Sequence, residues 1–374
     1  MKIDIKIEQK IANFKKQWDE FLPESHHLKS SHLQAFEDAK VDDIESFYIQ
    51  IYSKGKLLGI LYLQQFQFQH KHLNFSDEQQ VISKIIKILL PKKIPLLVCG
   101  HLFRINFQGF YFKNESHKTL IFDVIKKITK ESGICKPKGI IIKDCEDVFI
   151  EQNSNLFGYQ FFNGDVTMEL QRRPHWFSFD DYLNDLHKKY LQRARKIIKA
   201  FDGIEKRELN AEEIMEQAEV IKQLYWQVVN KQSVKLGTIN THYFYEMKKD
   251  LYDKFEFHAF YKNQVMIGFY TLIFYDVNRM ETHYIGIDYE ENKTHQIYFN
   301  ILFFAAKRMI EGKYNRLELG RTARDAKANL GALPKQIFNY INVKNIFVKF
   351  TLNYFQNKFN EMESKNLVSR TPLK

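Results

Sequence analysis

Residues able to move protons or steady a developing charge gather in one part of the chain: Glu281, His283, Tyr284, Asp288 and Glu318. In an extended strand Glu281 and His283 share one face, and Tyr284 and Asp288 the other. His283 is the leading base, because imidazole titrates near neutrality. Tyr284 offers an O–H donor to a leaving group or an oxyanion. Glu318 lies at the centre of the apolar run RLELG. A carboxylate there is costly unless it is paired or reacts. Its structural alternative is an ion pair with Arg316, Arg321 or Arg324. Arg321, Arg324 and Lys327 then form a basic loop before Gly331 and suit a carboxylate or phosphate on a substrate.

The elements that must hold these groups can be read from pattern. Phe255–Tyr261 alternates as a strand, Lys262–Asn263–Gln264 is a hairpin break, and Val265–Tyr275 is β-branched and aromatic. Asn278–Arg279 interrupts it, and Met280–Tyr289 resumes as a third strand. Asp288 to His295 has the chemistry of a helix start, with Asn292 or Thr294 as the expected N-cap. Ile297, Ile301, Leu302, Phe304, Ala305 and Met309 recur at helical spacing, and Gly312 closes the helix. Arg316–Gly320 is a short strand. A helix start directly after a strand aims backbone N–H groups at one spot, so an anion site near residues 292–297 competes with an ordinary capped helix.

This order of elements resembles the core of the GNAT superfamily of acyltransferases. More narrowly, THYIGID followed by AAKRMIEGKYNRLELGRTARDAKANLGALP resembles the bacterial acetyltransferase-like group related to Fem-type peptidoglycan aminoacyltransferases. The matching positions are Tyr284, Gly286, Asp288, Gly312, Leu319, Gly320, Lys327, Gly331 and Ala332, and the match covers about half the chain. The resemblance implies transfer of an acyl group from acyl-CoA to an amine, with acyl-CoA (acetyl or longer) as co-substrate and no metal. It implies that Asp288, Asn292, Lys293, Thr294 and His295 hold the donor's phosphates. It sets the thioester where the third strand and Leu317–Gly320 splay apart, within reach of His283, Tyr284 and Glu318. The better-known GNAT phosphate loop carries glycines, whereas residues 289–297 carry none. Two other readings stay open: a Fem-type enzyme using aminoacyl-tRNA on a peptidoglycan-like amine, and a GNAT-fold binding module without catalysis.

The first half repeats the second. FYIQIYSKGKLLGILYLQQF parallels FEFHAFYKNQVMIGFYTLIF, with Gly59 against Gly268. Leu96–Phe112 then supplies a third strand, Ser116–Ser132 a helix and Lys138–Asp144 a short buried strand. The expected fold class is α/β (α+β), a tandem duplication of a GNAT-like unit with a mixed sheet flanked by helices. The expected domains are 1–165, a degenerate GNAT-like unit; 166–360, the acyltransferase unit; and 361–374, a disordered tail. Between the repeats, residues 177–201 read as one long helix capped by Ser178, with an apolar stripe and a basic face from Lys188 to Lys199. Ile214–Val229 and Tyr243–Tyr252 read as helices, and Ile346–Phe359 as a last one.

The totals agree with a folded, basic protein. Of 374 residues 44% are hydrophobic and 27% charged, with a formal net charge of +11. Such a charge attracts nucleic acid, anionic lipid or phosphorylated ligands without choosing among them. Expected partners are therefore a small-molecule or cell-envelope amine, tRNA in the alternative reading, and the surface of an anionic membrane. Cys99, Cys135 and Cys145 form no C-x-x-C pair, so neither a disulfide framework nor a zinc ribbon is indicated. His26, His27 and His32 lack the i, i+4 spacing of a metal site. His70 and His72 fit a polar strand exit. The N-terminus lacks an apolar signal core and no run reaches 18 apolar residues, so a cytoplasmic location is expected.

Overall fold

The structure, a computed structural model, describes residues 2–41, 44–69, 92–131, 136–148, 157–231, 238–276, 278–343 and 370–374. The chain forms two compact units. The first comprises Met1–Asp165, Gln232–Ile239 and Gln336–Ser364; the second Val166–Lys231, Asn240–Lys335 and Lys365–Lys374.

The first unit contains β1 (Asp4–Glu8), α1 (Lys15–Phe21), α2 (Ser30–Asp38), β2 (Glu45–Ser53), β3 (Lys56–Gln69), β4 (Lys93–Cys99), β5 (Phe110–Phe112), α3 (Leu120–Glu131) and β6 (Gly139–Cys145). Its strands lie in the order β1, β2, β3, β4, β6, with β5 against β3. The β2–β3 hairpin closes through Lys54 and Gly55, both at positive φ, the twist a two-residue turn needs. β4 and β6 run parallel, from Leu96 opposite Gly139 to Cys99 opposite Ile142. A parallel pair needs a crossover, and α3 supplies it, burying Ile121, Val124, Ile125 and Ile128 on the sheet.

The second unit contains residues 166–171 of β7 (Gln160–Gln171), then α4 (Phe179–Asp185), α5 (Lys188–Lys199), β8 (Glu205–Glu208), α6 (Ala211–Glu216), α7 (Ala218–Val229), α8 (Thr241–Leu251), β9 (Phe255–Lys262), β10 (Val265–Asp276), β11 (Arg279–Ile287), α9 (Tyr289–His295), α10 (Ile297–Glu311), β12 (Arg316–Gly320) and α11 (Arg324–Ala328). Strand order is β7, β12, β11, β10, β9, β8. The β9–β10 turn repeats the first hairpin, with Asn263 and Gln264 both at positive φ. β11 and β12 are parallel, and α10 makes the crossover. Side chains alternate between two helical layers. Phe260 and Tyr270 meet Phe304 of α10, while Phe257 and Phe269 meet Phe244 of α8. The last strand, β13 (Leu333–Val343), gives residues 336–343 to the first unit, where they pair antiparallel with β6.

The order hairpin, third strand, helix, parallel strand therefore occurs twice, as the internal repeat requires. At the matched glycines side chains press close: a Cβ on Gly59 would lie 2.3 Å from the Phe112 ring, and one on Gly268 3.0 Å from Ile297.

Four features differ from the sequence reading. The helix expected over 177–201 is two helices, α4 and α5. Leu186 bridges Leu373 and the His187 N–H donates to the Pro372 carbonyl at 2.8 Å, so a distant segment takes bonds a continuous helix would make internally. That segment belongs to the expected disordered tail. Residues 361–369 lie outside the described ones, but Pro372 is buried, Leu373 is half-buried against the core of the second unit, and Lys374 bonds to Asp185 and Arg173. Ile214–Val229 is likewise broken, at Gln217. The helix cap expected at Asn292 or Thr294 is Asp288, whose carboxylate accepts from Glu290 N and Glu291 N. His70, His72, Cys135 and the Ile346–Phe359 helix fall outside the described residues. None of the described helices is long and apolar enough to cross a membrane.

Candidate active site

The parallel ladder between β11 and β12 has three rungs: Arg279 with Arg316, Met280 with Leu317, and Glu281 with Glu318. β11 continues to Ile287 without β12 beside it. The two strands thus part immediately after a pair of carboxylates, both buried.

On β11 the parting coincides with a bulge. Tyr270 faces Ile285 and Leu272 faces Thr282, so His283 and Tyr284 together oppose the single residue Thr271. Thr271 Oγ1 accepts from Tyr284 N at 2.9 Å. The extra residue breaks the alternation. Tyr284, expected on the opposite face to His283, packs instead against Tyr225 and Phe244, on the α7 and α8 side where His283 also lies.

His283 is held at both ring nitrogens. Nδ1 is 3.2 Å from Glu281 Oε1, and Nε2 is 2.9 Å from the Tyr243 hydroxyl. A carboxylate only accepts, so Nδ1 carries the proton and, in the neutral ring, Nε2 accepts from Tyr243. The second Glu281 oxygen accepts from the Tyr275 hydroxyl at 2.7 Å and lies 3.8 Å from the Arg279 guanidinium. The result is a buried relay, Tyr275–Glu281–His283–Tyr243, delivered by three strand residues and one on α8.

Glu318 accepts from Thr167 Oγ1 on β7 and from Gly320 N at 3.0 Å. A second bulge, between Glu318 and Gly320 in the β12–β7 ladder, makes room for this. Burial pushes the Glu318 carboxyl up, opposed by Arg279 and the two hydrogen bonds and reinforced by Glu281. Lys327, on α11, is buried with its Nζ 3.0 Å from the Gly320 carbonyl. Burial lowers its pKa to about 7, with Glu318 opposing and Arg324 assisting. An acid and an amine in one place, each driven toward its neutral form, are suited to proton transfer near neutrality.

No protein-family model matches the sequence, and no curated protein matches it. Solved structures do resemble it. FemX aligns with a TM-score of 0.52 at 13% identity, over 85% of this chain and 92% of that one. A conserved protein of unknown function from Bacteroides thetaiotaomicron aligns at 0.50 and 10% identity, over 90% and 99%. A tandem GNAT protein from the clavulanic acid biosynthesis pathway reaches 0.46 at 10% identity, over 91% and 98%. The chain has the FemX fold. At these identities the likeness concerns architecture alone.

Within this FemX-like fold, the residues expected to grip a donor's phosphates are engaged by the protein. Asp288 caps α9, and its negative charge stands at the N–H groups an anion would need. Asn292 Oδ1 accepts from Tyr298 N at 2.8 Å. Lys293 is paired with Glu290, and His295 lies between Ala200 O and Glu291. Thr294 is exposed. Arg321 and Arg324 sit at the turn after β12, Arg324 bonding to the carbonyls of Arg321 and Val166. Of the sequence-derived candidates, the parting strands bring together Glu281, His283, Tyr284, Glu318 and Lys327. Thr167, Tyr243, Tyr275 and Arg279 join them without having been singled out. A Thr in the strand VTMEL and a Tyr early in an amphipathic helix carry no sign of such a role.

The first unit meets the same point differently. Its ladder ends at Cys99 and Ile142, and the next β6 residue is Lys143. Its Nζ is held by the carbonyls of His101 and Arg104, each at 3.0 Å, and by the Asp144 carboxylate. His101 stands two residues past the last rung, as His283 does. Asp144 takes positive φ, as Gly320 does. Here a lysine of the chain itself occupies the parting.

Proposed function

We propose that the second unit is an N-acyltransferase that moves an activated acyl group onto an amine. The observation that carries this reading is the parting of β11 and β12 directly after Glu281 and Glu318, with Lys327 beside them. Among the described residues, no strand of the unit pairs with this edge of β11 beyond that rung, so an extended acyl donor can lie along it. The acceptor amine attacks the acyl carbonyl, a C–N bond forms, and the bond to the leaving group breaks. Neutral Lys327 takes the amine's proton, and Tyr284 donates to the oxyanion or the leaving group. His283, engaged at both nitrogens, acts through Tyr243 and fixes the relay.

Acyl-CoA is the first donor proposed. A second reading, aminoacyl-tRNA, is favoured by two features: residues 289–297 contain no glycine, and Asp288 opposes a pyrophosphate at the α9 N-terminus. Thermal-shift titrations with CoA, acetyl-CoA, a long-chain acyl-CoA and charged tRNA test the donor. Ligand at about 100 times its dissociation constant adds roughly 2.7 kcal/mol. A saturable shift with an acyl-CoA supports the first donor, and one with charged tRNA alone supports the second. No shift with either, together with no acyl transfer, contradicts the enzyme reading.

A further inference from the structure

Helix α5 carries Lys188, Lys189, Arg193, Arg195, Lys196 and Lys199, and no acidic residue. All six are exposed. At about 100° per residue they fall within one arc of roughly 160° and form a band about 16 Å long. The opposite arc, with Tyr190, Ala194, Ile197 and Ile198, packs into the core of the second unit. The orientation of the helix is therefore fixed by packing, and the charged residues face outward.

Several lysines elsewhere on the unit's surface are balanced by glutamates. Lys222, Lys249 and Lys307 each stand three or four residues from a glutamate they pair with, and Lys262 pairs with Glu291. Among the described residues, none of the six α5 cations is in an ion pair, and only Arg193 has a further contact, 5.1 Å over the Phe299 ring. Six unbalanced cations on twelve residues repel one another, which a balanced surface avoids.

We propose that α5 docks the protein on an anionic bilayer. The band is convex and its only other exposed side chain is Gln192. Single-stranded nucleic acid is held in concave basic grooves by aromatic side chains that stack bases, and α5 presents no aromatic on its exposed arc. A flat surface of mobile anionic headgroups can gather under a convex band, and clustered lysines and arginines on an amphipathic helix bind such surfaces. With no apolar side chain on the exposed arc, attachment is electrostatic and reversible. This inference does not depend on the acyl-transfer reading.

The test is co-sedimentation of the full chain with phosphatidylcholine vesicles, with and without phosphatidylglycerol. The expected result is binding to the anionic vesicles only, falling as salt rises. The variant Lys188→Gln, Lys189→Gln, Lys196→Gln, Lys199→Gln should lose about a hundredfold or more in partition. A variant with Lys222, Lys249, Lys262 and Lys307 changed to Gln has the same net charge and should keep its binding. Unchanged melting midpoints certify both folds; if the first variant melts early, Lys189→Gln with Lys196→Gln replaces it. Equal loss in both variants, no preference for anionic vesicles, or binding of tRNA but not of vesicles would overturn the proposal.

Discussion

Glu281 and Glu318 are partners on the last rung of the parallel ladder between β11 and β12. Paired residues of a parallel ladder project to the same face, so two buried carboxyl groups stand side by side where the strands separate. Like charges so placed cannot both ionise cheaply. The surroundings divide the roles. Glu281 receives Tyr275 and His283 and lies near Arg279, while Glu318 receives Thr167 and Gly320 N and is pushed toward its protonated form.

Glu318→Gln should cost activity and gain stability with rising pH. The folded pKa of Glu318 lies above the ordinary 4.5, mainly through burial. Its contribution to folding is complete below that ordinary value and is lost as pH rises through the folded one. Gln keeps the shape without the charge. The melting midpoint of the variant minus that of the parent, followed by calorimetry, should therefore grow from acid toward neutral pH; a flat difference would show that Glu318 ionises in the folded protein as easily as in the unfolded chain.

Lys327→Met carries the opposite sign. Burial lowers the folded pKa from 10.5 to about 7. The stability linked to this group is present above 10.5 and disappears as pH falls through about 7. Met removes that penalty, so the variant should be more stable than the parent near neutrality and below, with the advantage shrinking toward alkaline pH. Denaturant melts across pH measure it, and an advantage independent of pH would contradict the buried, near-neutral amine.

The relay predicts non-additive losses. Tyr243→Phe removes one hydrogen bond to His283, about 1 kcal/mol of stability, and should lower turnover by about ten- to a hundredfold. His283→Gln should do the same, and the double variant should be little worse than either single one. Multiplying effects in steady-state kinetics would mean that the two residues act separately.

Asp288→Ala separates a helix cap from a ligand contact. As the cap of α9 it should cost about 1 kcal/mol, visible as a lowered midpoint. Donor affinity should stay the same or improve, because a negative charge leaves the helix start. A tenfold loss of affinity in direct titration would make Asp288 part of the donor site.

Much of this was legible in the sequence. Both hairpins, the crossover helix α10 and the repeat follow from local pattern: alternation along the strands, 3.6-residue spacing along the helix, and matched glycines. Glu318 stood out as a carboxylate inside an apolar run, His283 as an imidazole that titrates near neutrality, and Lys327 by its place in the basic loop and in the group the sequence resembles. What escaped depends on residues distant in the chain. Thr167 lies 151 positions from Glu318, and Tyr243 40 from His283. The bulge that turns Tyr284 toward His283 needs Thr271 opposite, and alternation along one strand is silent about its neighbour. The break between α4 and α5 rests on bonds from Pro372 and Leu373, against a local pattern that favours a continuous helix.

The most direct test of the central claim is single-turnover acyl transfer to a small primary amine, measured across pH for the parent and Lys327→Met with the donor that binds. The account predicts that the parent rate rises with pH through a midpoint at about 7, and that the variant is slower by about a hundredfold or more and lacks this limb. A variant that turns over as fast as the parent, with the same pH profile, would contradict the assignment of Lys327 and of the centre built around Glu281 and Glu318.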